Sequence, residues 1–393
     1  MTQKPGSSES GFDESGRRLG GAESGGHLDD VAGIVLAGVH PWGECCLERV
    51  LPRPLMPVAG RSLVWHAVNW LQRGGVREAV VCANGGTRAL RAALGDDAGL
   101  SITLGYFEDP MPRGPAGCAR DAAATSGAQL FVVVDGTVIP RLELRSLLSA
   151  HVASEAALTV VARANGPWGQ GDGGSLEPAG IYVFSRAALE QVSTVGYQDI
   201  KEWVIPDLHR RGYRVRAYTI KDASLPRVIG PESYLAVSMW AAHRIAECSL
   251  PDGYSAVADA WIHASARVAD SARLIGPVLV GPECVVEEQA MVVGPTTLGQ
   301  ASALGRGCTV SRSVLWDGCR VGAGAVVDRC ILATAADVEP EYVVRNTVYF
   351  ARRWGGWTAL GRRVSEWVTG NGKASSASDP VRGVGLRRRV GGR

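Results

Sequence analysis

The chain has 393 residues, enough for two domains plus tails, and its 46% apolar and 20% charged content fits a soluble globular protein with a sizeable core. A net charge of +2 excludes global steering towards nucleic acid or a membrane surface. Nine scattered cysteines include no C-x-x-C pair, so neither a zinc site nor a disulfide framework is indicated. There is no secretory apolar region and no run of about eighteen apolar residues, and a reducing cytoplasm is the expected location.

Residues 1–30 are rich in Gly, Ser and Glu, have little to bury, and are expected to form a disordered tail. The first domain is expected over 31–250. It opens on a buried strand (Ile34, Val35, Leu36), a small-residue turn (Ala37, Gly38), an irregular loop, and then Pro52-Arg53-Pro54-Leu55. Arg61 to Arg73 carries Leu63, Val64, Ala67, Val68, Trp70 and Leu71 at helical spacing, and Gly74-Gly75 ends it. His66 lies within that amphipathic helix and reads as structural. A strand at Glu78–Ala83, a helix at Thr87–Leu94, strands at Ser101–Tyr106 and Gln129–Val134, a helix at Leu142–Ser154 and a strand at Ala157–Ala162 follow. Strands alternating with helices predict a doubly wound, mostly parallel α/β sheet.

The stretch from Ile34 to Gly60 resembles the opening of the sugar-nucleotide pyrophosphorylases, whose pattern is L-A-G-G-x-G-T-R-L, a short interval, then P-K-P-L. Leu36-Ala37-Gly38 matches the start and Pro52-Arg53-Pro54-Leu55 the end, without a gap. The resemblance implies a Rossmann-like nucleotidyltransferase domain and makes Leu36, Ala37, Gly38 and Arg53 nucleotide-binding candidates. It also exposes departures. Val39 and Pro41 stand where the family has glycines; Pro41 offers no N–H to a phosphate and Val39 adds bulk. Trp42 and Gly43 replace the Thr and the catalytic Arg, and Gly43 cannot neutralise charge on a phosphoryl group. Arg53 keeps the charge of the family's lysine but not its compact geometry.

Further along, Gly114, Ala116 and Gly117 match a G-T-A-G-A-L turn expected beside the nucleotide base, with Pro115 departing. The family has a strand followed by Gly-Asp, whose carboxylate holds Mg²⁺. Here Gly136-Thr137 falls on that pair, and a hydroxyl replaces a hard anionic ligand; Asp135 is the fallback. Ala179-Gly180-Ile181-Tyr182 matches the family's sugar-side strand, which makes Ala179 and Gly180 candidates. The interval Arg163–Glu177 is short, Gly-rich and devoid of the lysine that grips the sugar phosphate. Asp199 to Gly212 resembles a family helix. Pro231-Glu232 and Tyr234-Leu235 fix the register of a further motif and put Glu232 on the sugar side. In that register Arg227 falls on the second metal-binding Asp, and a cation there repels a dication. Metal, phosphate charge and sugar anchor are thus lost together, while the framework remains.

From Ile262 the chain has a six-residue period, with Ile262, Val268, Leu274, Val280, Val286, Val292, Leu298, Leu304 and Val310 in phase and compact residues four positions later. Such a period predicts a parallel β-helix over 258–346. The frame slips by one residue near Trp316 and resumes at Val321 and Val327. By resemblance this is the left-handed hexapeptide helix following the catalytic domain in GDP-mannose and ADP-glucose pyrophosphorylases, and Ser313–Gly318 looks most like the mannose type. Cys284, Cys308 and Cys319 fall on compact positions and read as buried thiols.

Residues 347–370 include Trp354, Trp357, Leu360, Val364 and Trp367 at helical spacing with arginines between. Two readings stand: an interfacial helix on a membrane or a partner, or a helix packed back on the first domain. Residues 371–393 read as a basic disordered tail.

Three functions compete. A noncatalytic regulatory or scaffolding member would assemble through its β-helix as a homo-oligomer or with an active paralogue. It would need no cofactor, and its pocket would sense a nucleotide or sugar nucleotide. An active nucleotidyltransferase, joining an NTP and a sugar-1-phosphate, would need Mg²⁺ held by Asp135 and a further carboxylate. A hexapeptide acyltransferase would need a catalytic base, and the one histidine of the repeat, His263, reads as structural. The first reading is preferred.

Overall fold

The computed structural model describes residues 30–38, 45–95, 99–109, 113–164, 176–220 and 225–351. Gly43, the middle of the Arg163–Glu177 interval, both tails and the Trp/Arg-rich segment from Arg352 onward lie outside them.

The first unit is built on a seven-stranded sheet. Its strands are β1 (Val31–Leu36), β4 (Glu78–Ala83), β5 (Thr103–Glu108), β6 (Leu130–Asp135), β7 (Leu158–Ala164), β8 (Leu176–Ser185) and β9 (Val215–Ile220), and a small hairpin supplies β2 (Pro57–Val58) and β3 (Arg61–Ser62). The spatial order is β5-β4-β1-β6-β8-β7-β9. β1 runs parallel to β4 and β6, β7 parallel to β9, and β8 lies antiparallel between β6 and β7. The central strands are buried on both faces, which is why β1 and β6 read as continuous apolar runs. Helices α1 (Leu63–Arg73), α2 (Thr87–Ala93), α3 (Gly114–Ala123), α4 (Leu144–Ala153), α5 (Arg186–Glu190), α6 (Ile205–Arg210) and α7 (Pro231–His243) complete the unit. Val64, Ala67, Val68 and Leu71 of α1 join the core on one face of the sheet; Ala116, Ala119 and Ala122 of α3 join the core on the other.

Several element boundaries differ from the sequence reading. Helix α1 starts at Leu63, because Arg61 and Ser62 pair with the Pro57–Val58 strand. The expected helix after Asp199 divides into a π-helical turn over Ile200–Val204 and then α6. Asp199 accepts from the N–H groups of Lys201 and Glu202, and Pro206 sits in the first turn of α6, directly after the π-helical turn. His66 is structural, its Nε2 lying 2.9 Å from Val58 O.

The second unit begins with an antiparallel hairpin, β10 (Tyr254–Val257) and β11 (Ala260–His263), and continues as a left-handed β-helix with three parallel sheets. Val280, Val286, Val292, Leu298, Leu304 and Val310 point into the prism, and Cys284, Ala290 and Cys308 fill it at compact positions. Burial pushes the thiols of Cys284 and Cys308 up to about 11 and that of Cys319 to about 12. His263 packs edge-on against Tyr254, and its Nδ1 is 2.8 Å from Ser265 Oγ.

The frame slip near Trp316 is the first of a series. Val285 pairs with Ala303, eighteen residues on, whereas Ala303 pairs with Arg320 and Arg320 with Asp337, seventeen on. The lost residue lies at one corner of each later coil. Gly276-Pro277 and Gly294-Pro295 turn that corner in the earlier coils; Arg312, Arg329 and Asn346, with φ of 47°, 51° and 48°, turn it alone in the later ones. A left-handed residue bends the chain within one position instead of two.

The two units share a core. Val314, Trp316, Ile331, Ala333 and Val348 of the β-helix pack with Tyr234, Val237 and Ala241 of α7 and with Met56, Val58 and Leu63.

Candidate functional site

A cleft of about 690 Å³ opens at the carboxyl ends of β1, β4 and β6, where a doubly wound sheet places its ligands. Leu36, Gly38, Arg53, Gly114, Asp135, Thr137, Gly180 and Arg227 all line it. Ala37, Ala116 and Ala179 are buried behind the wall. Gly117 lies inside α3, where an added Cβ would sit 2.8 Å from Arg113 Cβ. Glu232 is exposed in the first turn of α7 and is not part of the lining.

Two glycines give the wall its shape. Gly114 opens α3 with φ +79°, and an added Cβ would sit 2.5 Å from Gln198 O, which accepts from Ala116 N–H. Gly180 has φ +83° on β8 and lets that strand approach Asp135 closely. Gly38 faces Asn84, whose Oδ1 lies 3.1 Å from where a Cβ would stand.

Asp135 ends β6 beside Leu36, with which it is paired in register. Its Oδ1 accepts from the N–H of Thr137 at 2.9 Å and from its hydroxyl at 2.7 Å. Its Oδ2 accepts from Arg227 Nη2 at 2.5 Å. Arg227 is brought there by a short antiparallel bridge to Val138, with Ile139 N–H donating to Pro226 O and Val228 N–H to Thr137 O. The two positions where the resemblance puts metal carboxylates therefore hold Thr137, which donates to Asp135, and Arg227, which is its counter-ion.

These residues do not fit a divalent-cation site. Mg²⁺ takes hard oxygen donors in near-octahedral geometry and strongly disfavours an adjacent guanidinium. Both oxygens of the fallback carboxylate are already engaged by N–H and O–H donors. Among the described residues no group of three or more His, Cys, Asp or Glu side chains is placed to hold a metal.

Arg53 reaches the cleft but is held by a carboxylate outside it. Its Nε lies 2.9 Å from Glu48 Oε1, its Nη2 donates to Glu48 Oε2 at 3.1 Å, and its Nη1 donates to Ile229 O at 3.1 Å. Glu48 and Gln198 are the residues that sequence reasoning missed. Glu48 lies in the single helical turn Cys46–Arg49, and Gln198 precedes the Asp199 cap; neither belongs to a motif. The rest of the lining mixes signs, with Arg163 and Lys201 against Asp109, Glu177, Asp199 and Glu202.

The nucleotidyl transferase family model matches residues 45–167, and the GMPPB C-terminal domain model matches residues 256–364. A mannose-1-phosphate guanylyltransferase of Mycobacterium tuberculosis is 24% identical over 308 residues, covering 73% of this chain and 80% of that protein. The bifunctional protein GlmU of Geobacter sulfurreducens is 26% identical over 327 residues, and the match spans 63% of its length. A probable mannose-1-phosphate guanylyltransferase 3 of Oryza sativa is 24% identical over 298 residues, covering 67% of this chain and 80% of that protein. Matches to the two successive domains, in the order in which the sheet and the β-helix follow one another, support a sugar-nucleotide pyrophosphorylase family for this chain.

Proposed function

We propose that this chain is a noncatalytic member of its family, a cytoplasmic regulatory or scaffolding protein of sugar-nucleotide or polysaccharide biosynthesis whose cleft senses a sugar nucleotide. The Asp135–Arg227 ion pair carries this reading. Phosphoryl transfer in this family relies on a divalent cation and a positive side chain to neutralise charge as it develops. Here a guanidinium engages the one carboxylate at the strand end, and the position of the catalytic arginine is Gly43. The retained cleft and its glycine-shaped wall support binding without turnover. The β-helix supports a role in assembly, as a homo-oligomer or with an active relative, because its sheets are regular surfaces of short parallel strands.

The test is pyrophosphate release by the purified chain with Mg²⁺, each NTP, and mannose- or glucose-1-phosphate. No turnover is expected, together with stabilisation by GDP-mannose, which at a hundredfold excess over Kd amounts to about 2.7 kcal/mol. Turnover that disappears in Asp135→Ala would overturn the reading in favour of an active nucleotidyltransferase.

A further inference from the structure

In a sugar-nucleotide cleft a diphosphate needs positive charge beside it. The usual supplier would be a divalent cation on carboxylates, and the residues at the end of β6 do not fit one. What stands there is a guanidinium. Arg227 lines the cleft with its side chain about a third exposed (35%), while Asp135 beneath it is 23% exposed. Asp135 engages Nη2, and Nε is buried; Nη1 makes no hydrogen bond among the described residues and is the donor that remains for a ligand. The carboxylate is held in turn by Thr137 from behind, and Gly180 admits it by carrying no Cβ. The arrangement orients a cation at the mouth of β6, and an arginine fork suits phosphate oxygens.

We propose that Arg227 replaces the divalent cation: the cleft binds the diphosphate of a sugar nucleotide in a metal-independent manner, with Asp135 and Thr137 as positioning residues that orient the guanidinium. This rests on the sensing role proposed above and adds its ionic requirement. Asp135 then has a role opposite to the one it would play as a metal ligand. As a metal ligand its charge is required for binding. As an anchor for Arg227 its charge opposes the phosphate, and removing it leaves the cleft one unit more positive.

The test is calorimetric titration of the full chain with GDP-mannose in EDTA and in excess Mg²⁺, repeated with Arg227→Ala, Arg227→Lys and Asp135→Asn. The expected affinity is the same in both buffers within about twofold. It should fall roughly 10–100-fold in Arg227→Ala, as for loss of a charge-assisted hydrogen bond, and less in Arg227→Lys. Asp135→Asn removes the opposing charge but also one of the two acceptor oxygens that hold Thr137 and Arg227, so its affinity should again be the same in EDTA and in Mg²⁺. Affinity that rises tenfold or more on adding Mg²⁺ in the wild type, and no longer does so in Asp135→Asn that still unfolds cooperatively, would overturn the metal-free mode and leave the sensing role standing. No binding in either buffer would overturn both. Should Arg227→Ala fail to fold, the two-buffer comparison and the Asp135→Asn titration still decide.

Discussion

Trp316 Nε1 donates to the phenol oxygen of Tyr234 at 2.7 Å, and that phenol donates to Pro57 O at 2.6 Å. One chain of hydrogen bonds thus links the β-helix to α7 and to the β2–β3 hairpin, with both rings fully buried and meeting edge to face. The same Trp316 lies just beyond the first short corner of the β-helix, so the coil that shortens is the coil that docks.

This relation predicts how the two units unfold. Tyr234→Phe keeps the ring and leaves the indole N–H and the Pro57 carbonyl without their buried partner, a loss of about 1–3 kcal/mol. Trp316→Ala adds a cavity and should cost about 3–5 kcal/mol. Denaturant unfolding followed by circular dichroism should show one transition in the wild type and two in Trp316→Ala. A single unshifted transition in Trp316→Ala would contradict a shared core.

His151 makes stability depend on pH. It is buried in α4 with Nδ1 2.8 Å from Thr159 Oγ1, and burial lowers its pKa from 6.5 to about 4. Between those values the unfolded chain binds the proton and the folded chain does not. The contribution is therefore complete above pH 6.5 and is lost as pH falls towards 4, to at most about 3 kcal/mol. Burial shifts His66 in the same direction, so the comparison must be with a variant. His151→Gln should give a flatter dependence of the unfolding midpoint between pH 7 and pH 4 than the wild type, and identical slopes would refute the assignment.

Gly114 predicts a local lesion at the cleft. Gly114→Ala combines a left-handed φ of +79° with a Cβ 2.5 Å from Gln198 O. The strain is about 1–2 kcal/mol from the backbone, and relieving the contact breaks the Ala116 N–H bond to Gln198. Hydrogen exchange should accelerate at the start of α3 and around Gln198–Asp199, while the β-helix is unchanged. Equal protection at α3 in both proteins would show that the wall tolerates the change.

What the sequence makes legible here is what is local or periodic. β1 and β6 show as apolar runs because both faces are covered, and the prism residues from Ile262 to Val310 show because every coil repeats them. Arg227 and Thr137 are each visible as departures from a pattern. Their relation is not, because Asp135 and Arg227, 92 residues apart, meet only through a long-range bridge between Val138 and Arg227. The antiparallel insertion of β8 is hidden for the same reason: strand order depends on long-range pairing, and the residues of β8 would suit either direction. The shortened corners at Arg312, Arg329 and Asn346 read as a single slip, since a left-handed arginine carries no compositional mark.

Glu48 yields the remaining prediction. It holds Arg53 by both carboxylate oxygens, with the two side chains 11% and 13% exposed respectively. Glu48 therefore keeps a cation that lines the cleft electrostatically occupied. Glu48→Gln keeps the shape and one acceptor for the Cys45 N–H, but removes the charge. Leaving Arg53 without its counter-ion in a largely buried site should lower stability by up to about 3 kcal/mol. The same change should strengthen GDP-mannose binding by roughly 3–10-fold, because the guanidinium then meets the diphosphate without a competing carboxylate, and the gain should shrink as salt is raised. Calorimetry at two ionic strengths together with a denaturant midpoint measures both effects. Lower stability with unchanged affinity would mean that Arg53 serves the structure alone, whereas opposite movement of the two quantities would place it among the groups that hold the ligand.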